Sequence, residues 1–287
     1  MLTKPDSNKT IPKAKKRVNK ENSVDSFFRT KKFTTETEDT YISVKLNSDL
    51  HSLYPNKFNI GVTARIPLSK STKRYNLFIN SFKKGETTNS NSKINHLNKE
   101  SGTEIGVNYF ATLAHKIKSR YSLGVNGLNL FTLAKYSIEK NFHSWNILST
   151  QEFRYSLKHL FEEETDIYFD KHLCDSRLFR IALLRGTREG DAGMDYSFMV
   201  QHFWIFSKTA ALSLSQLFSG NTKYKYKRRR YRGITNYTTA LNFRKTAFRK
   251  WFYYGIRPSI NFNKERNYRA NYALNFYLEL YFGVLKH

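Results

Sequence analysis

Eight histidines and one cysteine, Cys174, are the residues of this chain best suited to nucleophilic or metal chemistry. A nucleophile needs a general base beside it, and a His and a Ser two residues apart on a β-strand would share a face; no His-x-Ser occurs in the sequence. His143 and Ser144 are adjacent, so they point to opposite faces of any strand. His202 shares a face with Tyr196 in an aromatic run and reads as an interfacial side chain rather than a base. The histidines show no metal-ligand spacing. A single cysteine permits neither an intrachain disulfide nor a multi-cysteine metal site. The acidic stretches EEET at 162–165 and EGDAG at 189–193 could attract a cation, and both read as solvated loops. No catalytic residue, metal site or cofactor is expected.

The cations form a different pattern. Lys and Arg number 49 against 23 Asp and Glu, a formal charge of +26, which makes polyanions natural partners. They concentrate in KYKYKRRRYRG, residues 223–233, where Lys223, Lys225, Lys227, Arg228, Arg229, Arg230 and Arg232 alternate with tyrosines. In a soluble protein such interleaving suits stacking on single-stranded nucleic acid. In a loop beside a membrane it suits lipid phosphates instead, and a solvated loop with no fixed partner fits equally. The elements around the run decide among these readings.

Those elements are strands. Aromatic residues make up 16% of the chain, including 19 Tyr and 23 Phe, a composition that favours β structure. No apolar run approaches the roughly 20 residues of a membrane-spanning helix. Residues 1–38 are read as a basic, largely disordered arm, with a short helical or clamped segment at VDSFFRTKKF. The N-terminus lacks the apolar core of a secretory signal, so the chain is either a mature form or not exported. From residue 39 onward the pattern has period two. It divides into fourteen runs, of which the last, NYRANYALNFYLELYFG at 267–283, is the cleanest. There Tyr268, Ala270, Tyr272, Leu274, Phe276, Leu278, Leu280 and Phe282 form a row without a charge. Links between runs tend to alternate in length, with long ones near 83–103, 186–194 and 219–231. Such a meander implies an all-β, closed, antiparallel up-and-down transmembrane β-barrel of about 14 strands over residues 39–287.

The rows opposite the apolar ones carry Arg65, Lys135, Glu152, Arg154, Asp166, Asp170, Arg180, Arg244, Arg257, Arg269 and Glu279, too polar a face for a dry core. Two stacked soluble sheets would bury the apolar rows. A soluble barrel of fourteen strands is too wide for side chains to fill, and Trp145, Trp204, Trp251, Tyr268 and Phe282 fall near strand ends, where a membrane interface would hold them. The uncharged rows are therefore expected to face lipid and the charged rows to line a lumen.

The C-terminal stretch FRKTAFRKWFYYGIRPSINFNKERNYRANYALNFYLELYFG resembles the end of an uncharacterised family of mainly proteobacterial outer-membrane barrel proteins. The matching residues are Arg244, Arg249, Trp251, Phe252, Tyr253, Tyr254, Ile256, Pro258, Tyr281 and Phe282. Weaker similarity runs through VDSFF, ARIPLSKSTKRYNLFI and HSWNILSTQEFRY, and Gly255 stands where the family pattern is acidic. The resemblance implies a barrel in a bacterial outer membrane and brings no activity with it. On this reading the 223–233 run lies in an outward loop beside lipopolysaccharide, and no nucleic-acid partner is expected. The expected function is a passive channel for small solutes, and seven basic against four acidic lumen residues give it a mild anion preference. The alternative is a closed structural barrel that binds lipopolysaccharide, or a periplasmic partner through the N-terminal arm.

Overall fold

A computed structural model describes residues 24, 27–28, 41–68, 74–82, 102–112, 117–191, 193–223, 225–226, 229–230, 232–249 and 251–283. Apart from Val24, Phe27 and Phe28, the arm expected over 1–38 lies outside the described residues.

Among the described residues sixteen strands follow one another: β1 (Tyr41–His51), β2 (Lys57–Pro67), β3 (Tyr75–Phe82), β4 (Gly102–Thr112), β5 (Lys118–Asn126), β6 (Asn129–Phe142), β7 (Trp145–Ser156), β8 (Leu160–Cys174), β9 (Arg177–Arg188), β10 (Asp195–Ser207), β11 (Ala210–Asn221), β12 (Lys225–Tyr226), β13 (Arg229–Arg230), β14 (Gly233–Thr246), β15 (Phe252–Asn263) and β16 (Ala270–Gly283). Among the described residues the two-residue strands β12 and β13 pair only with each other. The other fourteen form one closed antiparallel barrel in which each pairs with its neighbours in sequence and β1 closes on β16.

Closure is made by eleven residue pairs from Tyr41↔Gly283 to His51↔Ala273. The seam keeps like with like: Ile42 faces Phe282 and Leu46 faces Leu278, while Lys45 faces Glu279. A sheet edge left open in hydrocarbon would strand its N–H and C=O groups, so complete pairing is the only stable solution there.

The side chains are arranged inside out. In β16, Tyr272, Phe276, Leu278 and Phe282 are 43–64% exposed, whereas Asn271, Tyr277, Glu279 and Tyr281 are 1–4% exposed. Because the strand alternates, the exposed apolar row faces outward and the buried polar row faces the lumen. From Tyr272 to Phe282 the outward row runs ten residue steps, about 34 Å along the strand at roughly 3.4 Å per residue. A tilt of about 40° reduces this to about 26 Å, the height of the apolar band on a membrane barrel.

The two ends differ. Links 68–74, 113–117, 143–144, 175–176, 208–209 and 247–251 make a turn end, which also holds the start of β1 and the end of β16. Links 52–56, 83–101, 127–128, 157–159, 189–194, 222–232 and 264–269 make a loop end. All three tryptophans sit at the turn end on the outward side: Trp145 opens β7, Trp204 stacks on His202 with ring centroids 4.2 Å apart, and Trp251 stacks on Phe282 at 5.4 Å. Tyr155, Phe161, Tyr268 and Tyr272 are exposed at the loop end, forming the opposite girdle.

The depth of the belt is testable. Phe276→Arg, near mid-height, is expected to cost about 2–4 kcal/mol of folding free energy, and Phe282→Arg, at the girdle, about 0–1 kcal/mol. Urea titrations in lipid vesicles measure both, and equal costs would contradict the assigned belt.

Candidate functional site

The lumen is the candidate site, and ten of the eleven charged residues singled out in the sequence occupy its wall. Arg65, Lys135, Asp166, Asp170, Arg180, Arg244, Arg257 and Glu279 are buried on inward rows, and Glu152 and Arg154 are half-buried there. Arg269 shares their parity, yet it lies exposed in the link before β16.

Paired charges hold the wall. Arg180 donates from Nε to Asp170 Oδ1 at 2.6 Å and from Nη2 to Asp170 Oδ2 at 2.7 Å, with both residues essentially inaccessible. The register of β8 and β9 sets this fork by placing Asp170 opposite Arg180. Toward the loop end, Arg154 donates from Nη2 to Glu104 Oε1 at 2.6 Å, and its guanidinium lies 4.0 Å from the Phe131 ring centroid. Arg188 donates from Nε to Glu162 Oε1 at 2.5 Å. At mid-height, Glu152 lies 3.6 Å from Lys135 and 3.7 Å from Arg120.

The two halves of the lumen have opposite sign. With Lys135, Glu152, Asp166 and Arg257 set aside at mid-height, the described inward charged side chains that are buried or half-buried divide by end: the turn-end half holds Lys45, Arg65, Arg120, Arg180 and Arg244 against Asp170 and Glu279. The loop-end half holds Arg154 and Arg188 against Asp49, Glu104, Glu162, Glu164 and Asp195. The first sum is five minus two, or +3, and the second is two minus five, or −3. A cavity of about 450 Å³ opens in the acidic half, lined by Glu104, Glu152, Arg154, Glu162, His159 and Arg188 among others. Parity alone points several of these residues inward, since Arg120 adjoins outward Tyr121 and Glu104 adjoins outward Ile105.

Two expectations need correcting. EEET at 162–165 is not a loop: it belongs to β8, where Glu162 and Glu164 face inward and Glu163 faces outward, 2.6 Å from Arg185. Nor is the inner wall uniformly polar, because Leu148, Tyr168, Ala182, Leu184, Met199 and Leu217 form a buried apolar cluster across β7–β11. The signal for it was consecutive apolar residues, such as Leu183–Leu184 and Phe198–Met199–Val200, which supply both faces at once.

Other residues weighed in the sequence stand away from the lumen. His143 is exposed and takes the left-handed turn conformation (φ 53°) between β6 and β7. Cys174 is a free, exposed thiol at the turn end. EGDAG falls in the link after β9. Among the described residues no group of three His, Cys, Asp or Glu side chains could hold a metal ion. Of the 223–233 run, Lys223 and Arg232 are exposed at the loop end, Lys225, Arg229 and Arg230 fall in the small β12–β13 hairpin, and Lys227 and Arg228 lie outside the described residues.

Gly255 has a structural counterpart. A Cβ there would run into the ring of Tyr277, which covers the glycine, donates to Asn242 Oδ1 at 3.1 Å and lies 5.9 Å from Arg244. An aromatic ring laid over a strand glycine is a recognised means of bracing it. The space that an acidic side chain would need is filled.

No protein-family model matches this sequence, and no curated protein does. Solved structures do match. A loop-deletion form of OmpT, an outer membrane protein of Vibrio cholerae, aligns at TM-score 0.50 and 7% identity over 85% of this chain and 98% of that one. OccK10 (OpdN) of Pseudomonas aeruginosa aligns at 0.50 and 4% over 86% and 99%. The fold is that of bacterial outer-membrane barrels. A bacterial polysaccharide outer membrane secretin aligns likewise, at 0.50 and 10% over 85% and 99%. At these identities the likeness carries the architecture of an outer-membrane barrel and leaves the lumen to be read from its own residues.

The Asp170–Arg180 fork makes a sharp test of the wall. Arg180→Met leaves a buried carboxylate without its cation and is expected to cost about 3–5 kcal/mol, while the double change Asp170→Leu with Arg180→Met recovers most of it. Unfolding midpoints in detergent report both, and a double variant as unstable as the single would contradict the pairing.

Proposed function

We propose that this chain is a passive channel for small solutes in a bacterial outer membrane, with a mild preference for anions. The observation that carries the proposal is the charged inner wall of a barrel whose outside is apolar. A barrel kept only as a membrane anchor could be filled with apolar side chains, whereas charged rows on facing strands suit hydrated solutes. Support for the anion preference comes from the position of the cations. The acidic half holds the cavity and the basic half has its guanidinium groups packed to 0–6% exposure at Arg65, Arg180 and Arg244. The tighter segment sets selectivity, and its net sign is positive. No catalytic role is assigned to any residue.

The same close packing favours a second reading, a sealed structural barrel whose outward loops meet lipopolysaccharide. The exposed cations Lys223 and Arg232 beside the β12–β13 hairpin would face lipid phosphates on that reading. A periplasmic partner for the basic arm belongs to it as well.

Planar-bilayer recording separates the two. A channel of this kind shows discrete conductance, with a reversal potential displaced modestly toward that of the anion under a salt gradient. Replacing Arg65 and Arg120 by Glu is expected to shift the reversal potential toward the cation. Silence from every variant, or cation selectivity in the unaltered protein, would refute the proposal.

A further inference from the structure

Three residues ahead of the first strand are inside the barrel. Val24, Phe27 and Phe28 have helical backbone, and Val24 and Phe28 are only 2% and 3% exposed. Val24 and Phe28 pack with Leu178, Phe203 and Ala211, and Phe28 lies 5.3 Å from the Phe203 ring. Phe27 packs beside Tyr41, Tyr253 and Tyr281, and meets Tyr253 edge-on at 6.1 Å. Each of these wall residues lies on an inward row within five residues of the turn end. With Arg244, whose guanidinium is 6.0 Å from the Phe27 ring, they come from β9, β10, β11, β14, β15, β16 and β1. These are seven consecutive strands of the fourteen in the closed order, half the circumference.

The contact combines a favourable and an unfavourable term. Two phenylalanines and a valine leave water for an aromatic socket. Against this, the Arg244 guanidinium is fully buried beneath them, 4.4 Å from the Tyr253 ring and 2.8 Å from Glu279 Oε2. Its Nε and both Nη atoms make no directed hydrogen bond among the described residues, so the Glu279 contact is a charge contact off the hydrogen-bond direction. Burial therefore deprives one cation of water that an empty socket would restore. Opposed terms of this kind are what a reversible closure requires.

We propose that Val24, Phe27 and Phe28 form an internal plug that shuts the turn-end mouth on the β9–β1 side and leaves it when the pore conducts. This rests on the channel reading above. With the plug released, Arg244 and the tyrosine socket join the lumen.

Single-channel recording of the full chain tests the plug. Phe27→Ala combined with Phe28→Ala is expected to raise the open fraction at least tenfold, and Phe27→Leu combined with Phe28→Leu, which keeps apolar volume, to leave it near that of the unaltered protein. Heat-modifiable migration on a gel checks that each variant is folded. If the alanine variant folds and conducts as the unaltered protein does, the plug is refuted and the channel stands. If neither form ever conducts, the channel reading fails and the plug with it. Should the alanine variant not fold, Phe28→Cys in a Cys174→Ser background decides between a seated and an absent plug. A seated plug shields that thiol from a small charged reagent at least tenfold relative to a free cysteine, and reaction at the free rate refutes it.

Discussion

Hydrocarbon tolerates neither an unpaired strand edge nor an unscreened charge, and every other feature of this molecule follows from that double prohibition. The first half closes β1 on β16 and makes the sheet a barrel. The second half sorts the side chains: a chain carrying a formal +26 brings most charges of its spanning strands inward, since the outward rows are mainly Leu, Ile, Val and aromatic rings, and outward Glu163 and Arg185 near the loop end are paired with each other. A wall crowded with arginine is the result of that sorting as much as of any solute.

Crowding creates its own problem, because charges packed side by side in a narrow space must be paired or hydrated. The barrel pairs some of them through strand register, as at Asp170 and Arg180, where neighbouring strands present the two groups directly opposite one another. Others are braced by ring faces, as Arg154 is by Phe131 and Arg244 by Tyr253. The residual imbalance, acidic toward the loops and basic toward the turns, gives the lumen a direction along its axis. Inner apolar residues from Leu148 to Leu217 fill one stretch of wall where no charge is needed.

The architecture was legible in the sequence because period two survives along each strand. Register irregularities at His172/Cys174, Ile205/Ser207 and Ser219/Gly220 fall at strand ends, so none inverts the faces through the middle of the barrel. Strand count and the inward parity of Arg180 or Glu279 could thus be read from alternation, and closure followed from the need to pair strand edges in lipid. Alternation does not reveal which inward residues meet across the lumen, since those contacts join strands distant in sequence. The placement of Phe27 and Phe28 against Tyr253 and Phe203 was hidden for that reason, though VDSFF already stood out as a clamped segment. EEET deceived because three consecutive acids resemble a loop, and only the length of β8 shows that they span both faces.

The orientation of the apolar rows is tested most directly by the native tryptophans, all three of which lie at one girdle. Intrinsic fluorescence in vesicles made from brominated lipids reports contact with acyl chains without altering the protein. Strong quenching is expected when the bromine lies near the headgroup, with weaker quenching when it lies at the chain end. Emission unchanged by bromine at every depth would contradict a lipid-facing exterior.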